Sequence, residues 1–154
     1  MKRHIITLCV LFLLSACKDN TTTTVSPTVP VKIISAGGTY TLALEVAKTS
    51  AEQERGLMFR ENLAPDSGMI FVYPASQKIS MWMKNTPLSL DMIFVGNDRK
   101  ISGIVTNTKP FSEKIIESEE PAVAVIELNA GTVKRLGLSI GDNIDAPVLS
   151  AYIE

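Results

Sequence analysis

The stretch Val31–Ala47, VKIISAGGTYTLALEVA, decides the fold. Its halves, Val31 to Ser35 and Thr39 to Ala47, are rich in β-branched and apolar residues, and Gly37-Gly38 separates them. Two such runs around a glycine pair predict two strands joined by a tight connection.

Downstream, Thr49-x-x-Glu52 is a capping box that opens a short helix through about Leu57, and Asn62 to Gly68 carries the loop residues that end it. Met69 to Tyr73, Ile79 to Met83, Met92 to Val95 and Lys100 to Val105 read as four further strands, punctuated by Pro74, Pro87 and Gly96-Asn97-Asp98. Ala122 to Leu128 is another. Asn129 is placed to cap a second helix from Ala130 to Leu136, stopped by Gly137, and Gly141-Asp142 turns the chain into a last strand ending near Tyr152. Short strands at this spacing predict a mainly β fold, a small antiparallel barrel or sandwich with two short helices, in one domain over residues 31–154.

Upstream the composition changes. Residues 17–30 hold four consecutive threonines and two prolines with little to bury, which reads as a flexible Thr/Pro tether of about 40 Å at full stretch. Before it, Lys2-Arg3-His4 precedes the apolar run Ile5 to Leu14, too short to span a bilayer and suited to the h-region of a signal peptide over residues 1–16. Leu14-Ser15-Ala16-Cys17 resembles the lipobox of bacterial lipoproteins. The resemblance implies cleavage before Cys17, acylation of its sulfur, and a lipid-anchored protein in the cell envelope facing the periplasm. Lys18 follows the cysteine where an aspartate would resemble an inner-membrane retention signal, so the outer membrane is the expected address in a Gram-negative cell.

The leader also takes the reactive inventory with it. The chain's one histidine is His4 and its two cysteines are Cys9 and Cys17. Once the leader is cut and Cys17 acylated, no imidazole or free thiol remains, which excludes a Ser-His-Asp triad, a Cys-His pair, a His-ligated zinc site and an internal disulfide. No cofactor or metal is expected. Removing Lys2 and Arg3 takes the 15 basic residues to 13 against 16 acidic, so no basic excess points to nucleic acid.

Several motifs carry a family resemblance. These are Arg55-Gly56-Leu57-Met58 with Arg60, Gly68-Met69 before a strand, and Trp82-Met83-Lys84-Asn85-Thr86 with Pro87-Leu88 and Asp91. Glu127-Leu128-Asn129-Ala130-Gly131 with Gly137 and Gly141-Asp142 completes the set. Together they resemble the family called domain of unknown function 192, over about Tyr40 to Ile144. Met81 departs from the aromatic residue common at its place. The resemblance implies a mainly β, often exported domain and assigns it no activity.

The residues themselves point to a binding site. With a period of two, Ile79, Met81 and Met83 face a core, while Ser80, Trp82 and Lys84 share the other face. An indole beside an ammonium suits a cleft wall on which a ring stacks and a charge is held. Asn85, Thr86 and Asp91 follow on a loop, and Arg55 and Arg60 supply planar donors for a carboxylate or phosphate. Arg55, Arg60, Trp82, Lys84, Asn85, Thr86 and Asp91 are therefore the expected lining of a small polar pocket for an anionic or sugar-like ligand. Against it stands a structural reading, in which Asp91 pairs with Arg55 or Lys84 and the loop residues only shape a turn. Two further readings stay open: weak Cu(I) binding by the thioethers of Met58, Met69, Met81, Met83 and Met92, and hydrolysis by Asp91 with Glu127 or Asp142.

The expected lipid anchor has a direct test. Replacing Cys17 with Ser is expected to move the protein from the membrane to the soluble envelope fraction of its host, and unchanged membrane retention would remove the anchor.

Overall fold

The computed structural model describes residues 27–150; the leader, Cys17 and most of the expected tether lie outside them, as does Tyr152. Nine strands and three short helices follow one another: β1 (Thr28–Ser35), β2 (Gly38–Ala47), α1 (Ser50–Arg55), β3 (Ser67–Gln77), β4 (Ser80–Met81) and β5 (Leu90–Val95). Then come β6 (Ile101–Val105), β7 (Ile116–Glu117), β8 (Ala122–Asn129), α2 (Thr132–Leu136), β9 (Asn143–Asp145) and α3 (Pro147–Ser150). Seven strands form one sheet in the order β6-β5-β8-β3-β2-β1-β9, and β4 pairs with β7 in a two-stranded ribbon.

The β1–β2 hairpin forms around Gly37-Gly38 as its glycines predict, with Ser35 opposite Gly38. Pro30 lies inside β1, which begins three residues before the expected Val31. Proline is tolerated there because β9 pairs only with Lys32 to Ile34, leaving Pro30 at a free edge. One pairing departs from an antiparallel sheet: β2 and β3 run parallel, Ala43 opposite Ser67 through Ala47 opposite Phe71. The helix α1 between them supplies the crossover that parallel strands need. The expected last strand is also shorter, because β9 ends at Asp145 and α3 follows.

The sheet curls into a half-barrel. Its ends meet where the Ile101 N–H donates to the Asp142 carbonyl and the Ile144 N–H to the Arg99 carbonyl, at 2.9 and 2.8 Å. Inside the curl lies the first core, with Val31, Ile33, Leu44, Ile70, Ile93 and Ile126, plugged by Leu136 of α2 and Leu149 of α3. The outer face of β3, β8 and β5 carries a second core of Met69, Phe71, Met81, Met83, Met92 and Phe94, covered by the β4–β7 ribbon and by Leu57 after α1. Both faces of the central strands are thus buried, so every residue of β5 is buried, as are Ala122 to Leu128 of β8. Any polar side chain on these strands must find its partner within the protein.

Gly68 marks the tightest approach in the sheet. A methyl group there would run into the Glu127 carbonyl oxygen, the Leu128 Cδ2 and the Leu44 Cδ2. Gly68→Ala is expected to cost about 3 kcal/mol, as overpacking does in a well-filled interior; denaturant unfolding would show it, and an unchanged midpoint would contradict this packing.

Candidate functional site

Three loops converge on one end of the second core. The first follows α1, whose capping box forms as its sequence predicts: the Glu52 N–H donates to Thr49 Oγ1 at 3.3 Å, and the Glu52 carboxylate accepts from the Thr49 N–H at 2.9 Å. Hydrogen bonds from the Thr49 and Lys48 backbone N–H groups hold the Glu52 carboxyl below its ordinary value. Gly56 ends the helix at φ 45°, a conformation that favours glycine, and places Arg55 at the rim. The second loop is the Trp-Met-Lys-Asn-Thr segment, where the alternation predicted from sequence holds although only Ser80 and Met81 are strand. Ile79, Met81 and Met83 are buried, whereas Trp82 is exposed and Lys84 half-buried. The third loop carries Phe111.

Backbone hydrogen bonds stitch the loops together: the Phe59 N–H donates to the Asn85 carbonyl at 2.8 Å, and the Phe111 N–H to the Thr86 carbonyl at 3.1 Å. Phe59, Asn85 and Phe111 all adopt left-handed backbone, with φ of 62°, 54° and 58°. Asparagine tolerates this conformation, but each phenylalanine costs of order 1–3 kcal/mol there, held by its surroundings. The result is two exposed aromatic side chains, Phe59 and Phe111, flanking the loop that bears Trp82.

Between the first two loops runs a groove of about 340 Å³ lined by Arg55, Met58, Phe59, Trp82, Lys84 and Asn85, among others. Lys84 Nζ lies 5.0 Å from the centroid of the Trp82 ring, within cation–π range. Neither Arg55 nor Lys84 forms a salt bridge among the described residues, and Glu54 is the one acidic side chain on the groove wall. Four of the seven expected site residues, Arg55, Trp82, Lys84 and Asn85, therefore meet.

The other three do not open onto this groove. Arg60 is engaged by Glu45 of β2 in a two-pronged ion pair at 2.5 and 2.6 Å, which also raises its pKa. Thr86 is buried and its hydroxyl donates to the Lys84 carbonyl at 3.1 Å, shaping the turn. Asp91 is fully buried in β5, and its carboxylate staples two distant segments: Oδ1 accepts from the Asn107 N–H at 3.0 Å and Oδ2 from the Val133 N–H at 2.9 Å. Asp91, and neither Asn129 nor any other side chain, thus caps α2, whose N-cap residue is Gly131. Asn129 instead donates to the Leu63 and Ala64 carbonyls. The structural reading expected Asp91 to pair with Arg55 or Lys84; it pairs with neither, and backbone N–H groups of Asn107 and Val133 hold it instead.

The carboxylate pairs proposed from sequence separate as well. Asp91 stands opposite Leu128 and Glu127 opposite Met92 in the β5–β8 ladder, so the pleat sends Asp91 toward the first core and Glu127 toward the second. Asp142 turns back to accept from the Ser139 N–H at 2.8 Å. As for the thioethers, Met69, Met81, Met83 and Met92 fill the second core and Met58 lies apart on the groove.

Sequence reasoning named Glu127 only as a carboxylate partner for Asp91 and missed its burial in the second core. This residue is 4% exposed, sits between Met69 of β3 and Met92 of β5, and has no hydrogen-bond partner among the described residues. Burial in this apolar layer pushes its carboxyl up to about 8, so the group is mostly protonated at neutral pH. The Tyr73 phenol is raised too, by its own burial and then by Glu127. Glu127 borders a hollow of about 20 Å³ that shares Glu54, Arg55, Met58 and Trp82 with the groove and so adjoins it. The signal was present in AVAVIEL, residues 122–128: an acid within a continuous apolar run is an acid on a strand buried on both faces.

Fold and groove together define a mainly β half-barrel domain with a cationic, aromatic cleft at one end of its outer core. The chain belongs to the DUF192 family, described as an uncharacterized ACR, whose model matches residues 32–146. It is similar to a crystal structure from Sinorhizobium meliloti of a protein described as a candidate transcription regulator. That match has 48% identity and a TM-score of 0.76, and covers 79% of this chain and 96% of that one. It is also similar to a protein of unknown function from Novosphingobium aromaticivorans, at 41% identity and a TM-score of 0.75, over 77% of this chain and 84% of that one. No functionally curated protein matches the chain.

The state of Glu127 has a consequence for stability. The folded chain keeps a proton that the unfolded chain releases near 4.5, so stability should fall as pH rises from 4.5 to about 8 and level off above. For one group the slope in that window is about 1.4 kcal/mol per pH unit. Glu127→Gln should remove this contribution and be the more stable protein at pH 9 in denaturant unfolding; parallel pH profiles for the two proteins would refute it.

Proposed function

We propose that this protein is a lipid-anchored envelope domain that binds a small anionic or sugar-like ligand in the groove between Arg55 and Trp82. The observation that carries this reading is the convergence of two cationic side chains, Arg55 and Lys84, on an exposed indole with no salt-bridge partner among the described residues. An uncompensated guanidinium offers a planar fork to a carboxylate or phosphate, and the indole offers a face for a ring. The left-handed Phe59 and Phe111 support the same reading, since backbone strain of this kind collects where a fold holds a binding surface in place.

Placement outside the cytoplasm rests on the lipobox-like Leu14-Ser15-Ala16-Cys17, and the threonine-rich segment after it would let the domain work at a distance from the bilayer. Among the described residues no helix is long and apolar enough to cross a membrane. Binding without chemistry is favoured because, of the carboxylates considered for hydrolysis, Asp91 and Asp142 already accept backbone hydrogen bonds and Glu127 projects to the opposite face of the sheet from Asp91.

The chain has a single tryptophan, Trp82, so its intrinsic fluorescence reports on the groove directly. Titration with small carboxylates and phosphates is expected to change that fluorescence. Arg55→Ala and Lys84→Ala should each weaken binding by about tenfold, the scale of one lost charged hydrogen bond, while the melting temperature stays put. Loss of stability with undiminished binding would overturn the proposal.

A further inference from the structure

We infer that the ligand of this groove is a sugar acid, a hydroxylated ring bearing a carboxylate, and that one of its hydroxyls seats on Glu127 in the hollow next to Trp82. The inference rests on the groove being an anion site and adds the second half of its recognition.

The hollow is the right size for one such group. At about 20 Å³ it exceeds the roughly 10–15 Å³ needed to admit a single water-sized group and leaves no room for a larger one. It adjoins the groove, and Arg55, Met58 and Trp82 border both. On its wall Glu127 offers a carboxyl that makes no side-chain hydrogen bond among the described residues.

The chemistry of a partner for that carboxyl follows from what surrounds it. The hollow is lined by Leu57, Phe71 and Met81 together with Gln53, Glu54, Arg55 and Thr86, and burial favours the neutral carboxyl, which both donates and accepts one hydrogen bond. A hydroxyl does the same and is its natural complement. An ammonium fits less well, since it would lie beside Arg55 and would need Glu127 to ionise in an apolar layer. A ligand with a carboxylate for Arg55 and Lys84, a ring face for Trp82 and a hydroxyl for Glu127 satisfies all three at once.

The test uses the protein purified from its host in detergent and the fluorescence of Trp82. The probes are glucuronate, galacturonate, mannuronate and guluronate, with cyclohexanecarboxylate as the same anion on a ring without hydroxyls. At least one hexuronate should bind at least about tenfold tighter than cyclohexanecarboxylate. Glu127→Met should erase that advantage while leaving cyclohexanecarboxylate binding unchanged. Glu127→Gln, still a neutral donor and acceptor, should hold hexuronate affinity within about threefold. Melting curves confirm that both variants fold. If cyclohexanecarboxylate binds through Arg55 and no hexuronate binds tighter, or if Glu127→Met weakens both classes alike, the hydroxyl contact is wrong and the anion groove stands. If no acid of either class perturbs Trp82, the groove itself is not the site and both readings fall.

Discussion

A carboxyl group buried without a partner sets the terms for this domain. Glu127 lies on the central strand β8, flanked by methionines on both neighbouring strands, and borders the hollow next to Trp82. Burying it ionised would cost several kcal/mol, so the fold keeps its proton. The hollow beside it is lined by residues from the end of α1 and from the Trp-Met-Lys-Asn-Thr loop.

The two acids of the central strands show how differently one sheet can treat a carboxylate. Asp91 and Glu127 belong to adjacent strands and project to opposite faces. Asp91 receives two backbone N–H donors and ties the loop at Asn107 and the start of α2 to the sheet, closing one end of the half-barrel. Glu127 receives none. A satisfied buried carboxylate is a structural fastening. An unsatisfied one beside a cavity is a feature that stability alone does not account for, and it marks the place where a ligand would complete the structure.

Much of the architecture was legible because the relevant signals are local. Gly37-Gly38 fixed the hairpin, Thr49-x-x-Glu52 fixed the start of α1, and the alternation from Ile79 to Lys84 separated Trp82 and Lys84 from the core. What the chain did not announce depends on distant partners. Arg60 looked free until β2 brought Glu45 to it, and Asn129 looked like a helix cap until the loop at Leu63 claimed its amide. The parallel pairing of β2 with β3 likewise reflects a crossover whose outcome no single segment encodes. Glu127 was readable in principle, since its strand is apolar on both faces, but its place in a motif suggested it first as a carboxylate partner for Asp91.

The groove and the hollow adjoining it make a two-part site, cationic and aromatic in the groove, neutral and hydrogen-bonding at Glu127, on loops held by backbone bonds between Phe59, Asn85, Thr86 and Phe111. Its character depends on Glu127 being an acid rather than an anion under working conditions. The most direct measurement is a carbon-13 NMR titration of the Glu127 side-chain carboxyl. The structure predicts a midpoint near 8. A midpoint near the ordinary 4.5 would mean that the carboxyl is hydrated or paired, and would contradict the account at its base.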